Sequence, residues 1–470
     1  MTSEPMKLYE FQQEGVDFLI RSPRALLADD MGLGKTIQAI ATCKEISARL
    51  VLVVCPNVLK DNWAIEINKW DPEKDVTVLR GSYRGKLAII DKLSAGYLIL
   101  NIESVQTRKD KYGNKYSLTD NLLLLPWDVL IVDEAHSIKN RNANQTKGIY
   151  KLACNIKRVY LLTGTPIMNR VDELWSPLNI LYPVRYASFW SFVKRHAIVY
   201  RKEIEVKGKT RLIWMIDGKP VRPKELKADI APIFLRREKK QVFPQMPDMI
   251  TQKIWLELEG EQLQIYKDVM RKTLVEINKE NVYITIPGIL ARLTRCRQAA
   301  LSPKLLGGKT DGIKLDVLTN IIKGTDQKLI VFSQFAEAIK LVSKILEKEG
   351  IGYSMLIGET LEKHRNECVT SFQTLPEIKA FLTTTQAGGA GLTLTAANLV
   401  IFLDKHWTPA INEQAINRTR PHLQQESVQV IELLGLKTVD VLIEKVLSGK
   451  ISIVEAIVKM NIQPVVVSQK

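Results

Sequence analysis

Apolar residues in this chain gather into short leucine-rich or β-branched runs: Leu50–Cys55, Val76–Leu79, Tyr97–Ile102, Val129–Val132 and Val159–Leu162. Each is separated from the next by helical or polar sequence. Runs that are apolar at every position predict strands covered on both faces, and their alternation with helices predicts a parallel sheet. A second set lies at Leu329–Phe332, Tyr353–Ile357, Ala380–Thr383, Leu399–Leu403 and Val428–Leu434. The pattern therefore predicts an α/β protein with two lobes of one class. Between them, Val171 to about Gly324 is less regular and largely helix-like. Within it, Glu203–Val206 and Arg211–Ile216 flank Lys207-Gly208-Lys209-Thr210, which predicts a β-hairpin with a basic turn. Helical spacing over Leu8–Ile20 and Thr438–Leu447 predicts an amphipathic helix near each end.

Composition narrows the function classes. At 470 residues the chain is long enough for two or three domains. It has no apolar run of membrane-spanning length and no apolar signal core at Met1–Lys7, so neither membrane nor secretion is expected, and a cytoplasmic, nucleoid or nuclear location is. The five cysteines stand singly, which argues against zinc sites and a disulfide framework. Charge is the most informative: 67 Lys plus Arg against 51 Asp plus Glu gives +16, which favours an acidic polymer, nucleic acid first.

The chemistry centres on Asp29-Asp30-Met31-Gly32-Leu33-Gly34-Lys35-Thr36, after an apolar run and before a helical pattern. That order is the one a phosphate-binding loop requires. Gly32 and Gly34 allow the tight turn that points N–H groups at a polyphosphate, and the helix starting at Lys35 adds its positive dipole end. Lys35 can then reach the outer phosphates and the Thr36 hydroxyl can ligate Mg²⁺. Asp29 stands where the general pattern has Gly. Downstream, Val129–Val132 runs into Asp133-Glu134-Ala135-His136. There Asp133 would hold the Mg²⁺ water shell and Glu134 would orient or deprotonate the attacking water.

These residues resemble the superfamily-two helicase-like ATPases, in particular the Swi2/Snf2 family. The resemblance runs through Gln12, Cys55-Pro56 with Asn62-Trp63, Leu162–Pro166 with Asn169, and Leu235-Arg236-Arg237 with Lys239. It continues through Ile330–Phe335, Thr383–Leu392, Asp404, Trp407, Pro409 and Gln414–Arg418. It implies two RecA-like lobes that hold ATP and act on double-stranded nucleic acid. It assigns Gln12 and Gly391 to the nucleotide and Arg418 to charge developing on the γ-phosphate. His136, Thr163, Thr165 and Gln414 would couple nucleotide to movement, and Ser104, Thr384, Gly388 and Trp407 would meet nucleic acid, as would Lys207 and Lys209 if the hairpin meets a junction.

The implied division is 1–170 first lobe, 171–250 helical protrusion with the hairpin near 203–216, 251–324 helical connector, 325–436 second lobe and 437–470 helical brace. One motif departs from the family: Pro421 occupies the position of a second arginine, with Arg420 one residue earlier, so Arg418 is expected to be essential and turnover weak. The expected function is a DNA translocase or helicase acting on duplex or branched DNA in recombination, replication or repair. A compact motor of this kind resembles small bacteriophage and prokaryotic proteins. Two alternatives stay open, an ATPase that displaces a nucleic-acid-bound protein and a binding module with weak or lost turnover. RNA and a protein partner are likewise open.

Overall fold

The computed structural model describes residues 7–109, 115–164, 171–206, 209–244, 249–279, 286–388, 392, 394–419 and 427–449. The chain forms two compact units, residues 1–244 and 245–470.

The first unit is built on a seven-stranded parallel sheet. Its strands are β1 (Arg24–Leu27), β2 (Leu50–Cys55), β3 (Val76–Val78), β4 (Gly96–Asn101), β5 (Val129–Val132) and β6 (Arg158–Leu162), followed by the β7 (Ala197–Val206) and β8 (Lys209–Pro220) hairpin and then β9 (Phe234–Leu235). The sheet order is β9-β1-β6-β5-β2-β4-β3, with the hairpin as a separate antiparallel ribbon. Every residue of β2 and β5 is buried, as strands covered on both faces must be. Helix α1 (Glu10–Arg21) follows the predicted periodicity, α2 (Lys35–Glu45) begins at Lys35 as expected, and α3 (Lys60–Trp70) comes after β2. The hairpin reaches beyond the span expected from sequence, from Ala197 to Pro220.

The second unit carries a six-stranded parallel sheet of β10 (Ile250–Leu256), β11 (Leu329–Ser333), β12 (Gly352–Leu356), β13 (Ile378–Thr384), β14 (Leu399–Phe402) and β15 (Gln429–Gly435). Its order is β10-β15-β14-β11-β13-β12. Long helices Gly260–Lys279 and Ile286–Leu301 pack with the helix Val439–Leu447 around Tyr266, Leu293, Cys296, Val439 and Ile443.

Two strands depart from expectation. Residues 251–256, expected to open a helical connector, are strand: β10 pairs in parallel with β15 from Ile250 to Leu256. It is an edge strand with Ile250 and Trp255 exposed, so it lacks the continuous apolar signature of its neighbours. β9 spans only Phe234 and Leu235, too short for any periodicity, yet it extends the first sheet beside β1.

Candidate active site

The carboxyl ends of β1, β6 and β5 lie side by side, and each leads into a polar segment, as expected for ligand sites on parallel sheets. After β1 the chain turns through Gly32 and Gly34, both at positive φ (87° and 76°), and Gly34 caps α2. Only glycine takes that conformation without strain. It is also required by space, since a Cβ on Gly34 would come within 2.4 Å of Gln12 Nε2. Gln12 is buried. Its Oε1 accepts from the Tyr9 N–H (3.1 Å) and its Nε2 donates to the Leu33 carbonyl (3.3 Å), so α1 braces the loop.

Lys35 Nζ donates to the loop carbonyls of Asp29 (2.6 Å) and Asp30 (3.0 Å). Burial lowers its pKa, against the pull of Glu134, Asp29, Asp133 and Asp30. The end of β6 closes in from the side: a Cβ on Gly164 would meet Met31 at 2.4 Å and Lys35 Nζ at 3.3 Å. Thr163, wholly buried, thus sits next to the loop, while Thr165 lies outside the described residues.

Beyond β5, Asp133 Oδ2 accepts from Trp63 Nε1 (2.9 Å) and Oδ1 from the Glu134 N–H (2.8 Å). Burial, then the neighbouring Glu134, push its carboxyl up to about 6, with the Trp63 and Glu134 hydrogen bonds and Lys35 opposing. Glu134 takes a left-handed φ of 49°, a costly geometry for a non-glycine residue that recurs at functional sites. His136 Nδ1 stands 3.1 Å from Glu134 Oε2.

The donor set fits ATP and Mg²⁺: a positive-φ loop at a helix N-terminus, an ammonium and the Thr36 hydroxyl. It also holds a carboxylate with lone pairs to spare, whose ionisation burial disfavours until a cation arrives.

Asp29, the residue in the glycine position, is fully buried and has a partner that sequence order hid. Arg237, just past β9, donates to it from Nε (3.1 Å), from Nη2 (2.5 Å) and from its backbone N–H (3.0 Å). Arg237 Nη2 also reaches Gln38 Oε1 (2.8 Å), while Gln38 Nε2 donates to Asp29 Oδ2 (3.2 Å). The next acid repeats the pattern: Asp30 accepts from Arg236 Nη2 (3.2 Å) and the Lys239 N–H (3.1 Å). An acidic pair at the end of a buried strand demands counter-charge. The Arg236-Arg237 pair after a short apolar run was the sequence signal for it.

The expected nucleic-acid residues fall in several places. Ser104 lines a cavity of about 220 Å³ with Lys86, Asn101 and Gln106. There Ser104 Oγ donates to Asn101 Oδ1 (2.6 Å) and accepts from Lys86 Nζ (3.1 Å), a cation the sequence did not single out. In the second unit Thr384 Oγ1 accepts from the Ala387 N–H (3.2 Å), a local helix-start bond. Gly388 is buried where a Cβ would strike Thr383 and Phe332. Trp407 is half-buried over the Arg297 guanidinium, 5.6 Å from Cζ to the ring centre. Gln414 lies on the helix Pro409–Ile416 and Arg418 in the turn that follows, where its carbonyl accepts from the Leu394 N–H (2.8 Å). Lys207, Gly391, Arg420 and Pro421 lie outside the described residues, as does the Lys209 side chain.

Comparison with known proteins identifies the family. The SNF2-related domain model matches residues 11–305 and the helicase conserved C-terminal domain model matches residues 313–421. The chain is 28% identical over 478 residues to the putative ATP-dependent helicase/translocase YwqA of Bacillus subtilis, covering 96% of this chain and 49% of that protein. It is 28% identical over 459 residues to the human DNA annealing helicase and endonuclease ZRANB3, covering 94% and 40%. It thus spans about half or less of the length of these relatives. A solved Sulfolobus solfataricus SWI2/SNF2 ATPase core in complex with dsDNA is 27% identical, with 96% of this chain and 93% of that chain covered and a TM-score of 0.44. With matched blocks running from residue 11 to residue 421, the chain belongs to the SNF2-related helicase family.

Proposed function

We propose that this protein is a nucleic-acid-stimulated ATPase that couples ATP hydrolysis to movement on duplex or branched DNA, remodelling forks or junctions. The observation that carries it is the convergence of Lys35, Asp133 and Glu134 at adjoining strand ends, with Thr163-Gly164 between them. The relatives named helicase/translocase and annealing helicase point the same way.

In this reading the loop N–H groups and Lys35 hold the phosphates of ATP. Thr36 and Asp133 would hold Mg²⁺, which would neutralise phosphate charge. Glu134 orients the attacking water and takes its proton, with His136 steadying the carboxylate. Asp29 and Arg237 keep the loop in shape. Ser104 and Lys86 contact a backbone phosphate, which positions DNA without reading its bases.

The test is the ATPase rate without cofactor and with single-stranded DNA, duplex, forked DNA, a four-way junction and RNA, with Lys35→Ala as blank. Stimulation by duplex or branched DNA is expected. A rate unmoved by every nucleic acid, or one that needs a bound protein partner, contradicts the proposal. Arg418→Ala is expected to lose turnover, and Pro421→Arg to raise it; full activity in Arg418→Ala removes the role given to that residue.

A further inference from the structure

The β7–β8 hairpin carries a feature that its basic turn does not explain. In an antiparallel pair, directly opposed residues share a face. Val199 pairs with Ile216, Arg201 with Trp214 and Glu203 with Leu212, so these residues form one face. At its root Val199 and Ile216 pack on the hydrophobic core of the first unit. Beyond them the same face is open, with Trp214 44% and Leu212 54% exposed.

The helix Phe189–His196, which leads into β7, completes the surface. Its Trp190, 38% exposed, has its ring centre 6.2 Å from that of Trp214, tilted by 52°. Lys194, one helical turn on, places Nζ 5.7 Å from the Trp214 ring centre, and Arg201 places Cζ at 4.5 Å. Neither cation makes an ion pair among the described residues, whereas the adjacent Arg195 is bound to Glu225. Two indoles and two cations that make no ion pair among the described residues therefore meet at one exposed place.

We propose that Trp190, Trp214, Lys194 and Arg201 form a stacking surface for unpaired bases of single-stranded or branched DNA, with the cations on the flanking phosphates. This rests on the proposed function and specifies a substrate feature for it. Aromatic rings offer a base its π-face whatever its identity, and cations beside them follow the backbone, the pairing found in sequence-tolerant single-strand sites. Bases in a duplex already stack on their neighbours, so the surface distinguishes unpaired from paired DNA. The net charge of +16 favours nucleic acid over a basic or neutral peptide as occupant.

The test is binding of the full chain to a labelled oligothymidylate and to a blunt duplex of equal length. Trp214→Ala is expected to weaken oligothymidylate binding roughly five- to a hundredfold. Duplex affinity should hold, and Trp214→Phe should keep most of the oligothymidylate affinity. Lys194→Ala with Arg201→Ala should reduce the salt slope of oligothymidylate binding by about 1.4. Equal loss on both probes, no loss on the oligothymidylate, or a Phe variant as weak as Ala overturns the proposal. Duplex-stimulated ATPase of the unmodified chain is read in parallel. Its absence counts against the proposed function, while selective loss of oligothymidylate binding still upholds the stacking surface.

Discussion

At the carboxyl edge of the first sheet, Lys35 donates to loop carbonyls and Asp133 keeps lone pairs on both oxygens, its carboxyl pushed up to about 6. At the same edge of the second sheet, charges close on one another. Asp404, just past β14, accepts from Arg297 Nη2 (2.9 Å), the Gln334 N–H (3.1 Å) and the Ser333 hydroxyl. Behind it Lys314 donates to Asp440 (2.7 Å), and Lys405 lies between Glu432 and Glu444. One fold class thus uses its strand ends in two ways. In the first unit Lys35 and Asp133 are held by backbone groups and an indole N–H, and in the second ion pairs tie helices to the sheet.

The largest expected effects fall on the buried pairs. Removing one partner of such a pair leaves an uncompensated charge and costs about 3–5 kcal/mol. Arg297→Ala is expected to cost that much in the unfolding of the second unit, seen by calorimetry, with little change in the affinity of a fluorescent ATP analogue. Arg237→Ala is expected to cost a similar amount in the first unit and to weaken the analogue as well, since Asp29 lies in the loop proposed to hold the phosphates. If both variants leave nucleotide affinity alike, the division of labour between the two edges is wrong.

A smaller effect has the opposite sign. The folded chain raises the Asp133 carboxyl from 3.8 to about 6, so between those values it holds a proton that the unfolded chain has released. Stability from this group is fully present below about pH 4 and is lost as the pH rises to about 6. Asp133→Asn is therefore expected to stabilise the nucleotide-free protein near neutral pH by roughly 3 kcal/mol, and hardly at all near pH 4. A Tm difference that is the same at both pH values contradicts the buried-carboxylate account. Trp63→Phe is expected to show the smallest change, a loss of about 1.5–3 kcal/mol of hydrogen bonding to Asp133 where that group is charged. Its readout is a further rise in the Asp133 pKa, followed by carboxyl infrared absorption, and an unchanged pKa contradicts it.

Much of this was legible along the chain because strands buried on both faces write continuous apolar runs, as Leu50–Cys55 and Val129–Val132 do. β10 was not legible, since an exposed edge strand carries Thr251, Gln252 and Lys253 among its apolar residues. The loop was legible from Gly32, Gly34 and Lys35, whose spacing is local. The meaning of Asp29 was not, because its partner Arg237 comes 208 residues later. Trp63 was visible only as part of the family pattern, and nothing local indicated that its indole N–H holds Asp133. Thr384, Gly388 and Trp407 show the reverse: their motif is plain in sequence, yet the contacts around them are a helix start, a close packing and an arginine stack.

The role of Glu134 is tested by DNA-stimulated ATP hydrolysis in Glu134→Gln, measured with the affinity of the fluorescent ATP analogue. Loss of the group that takes the proton, with the loop and Lys35 intact, predicts unchanged analogue binding and turnover lowered at least about a hundredfold. Turnover at the unmodified rate would contradict the assignment of this edge as the site of hydrolysis.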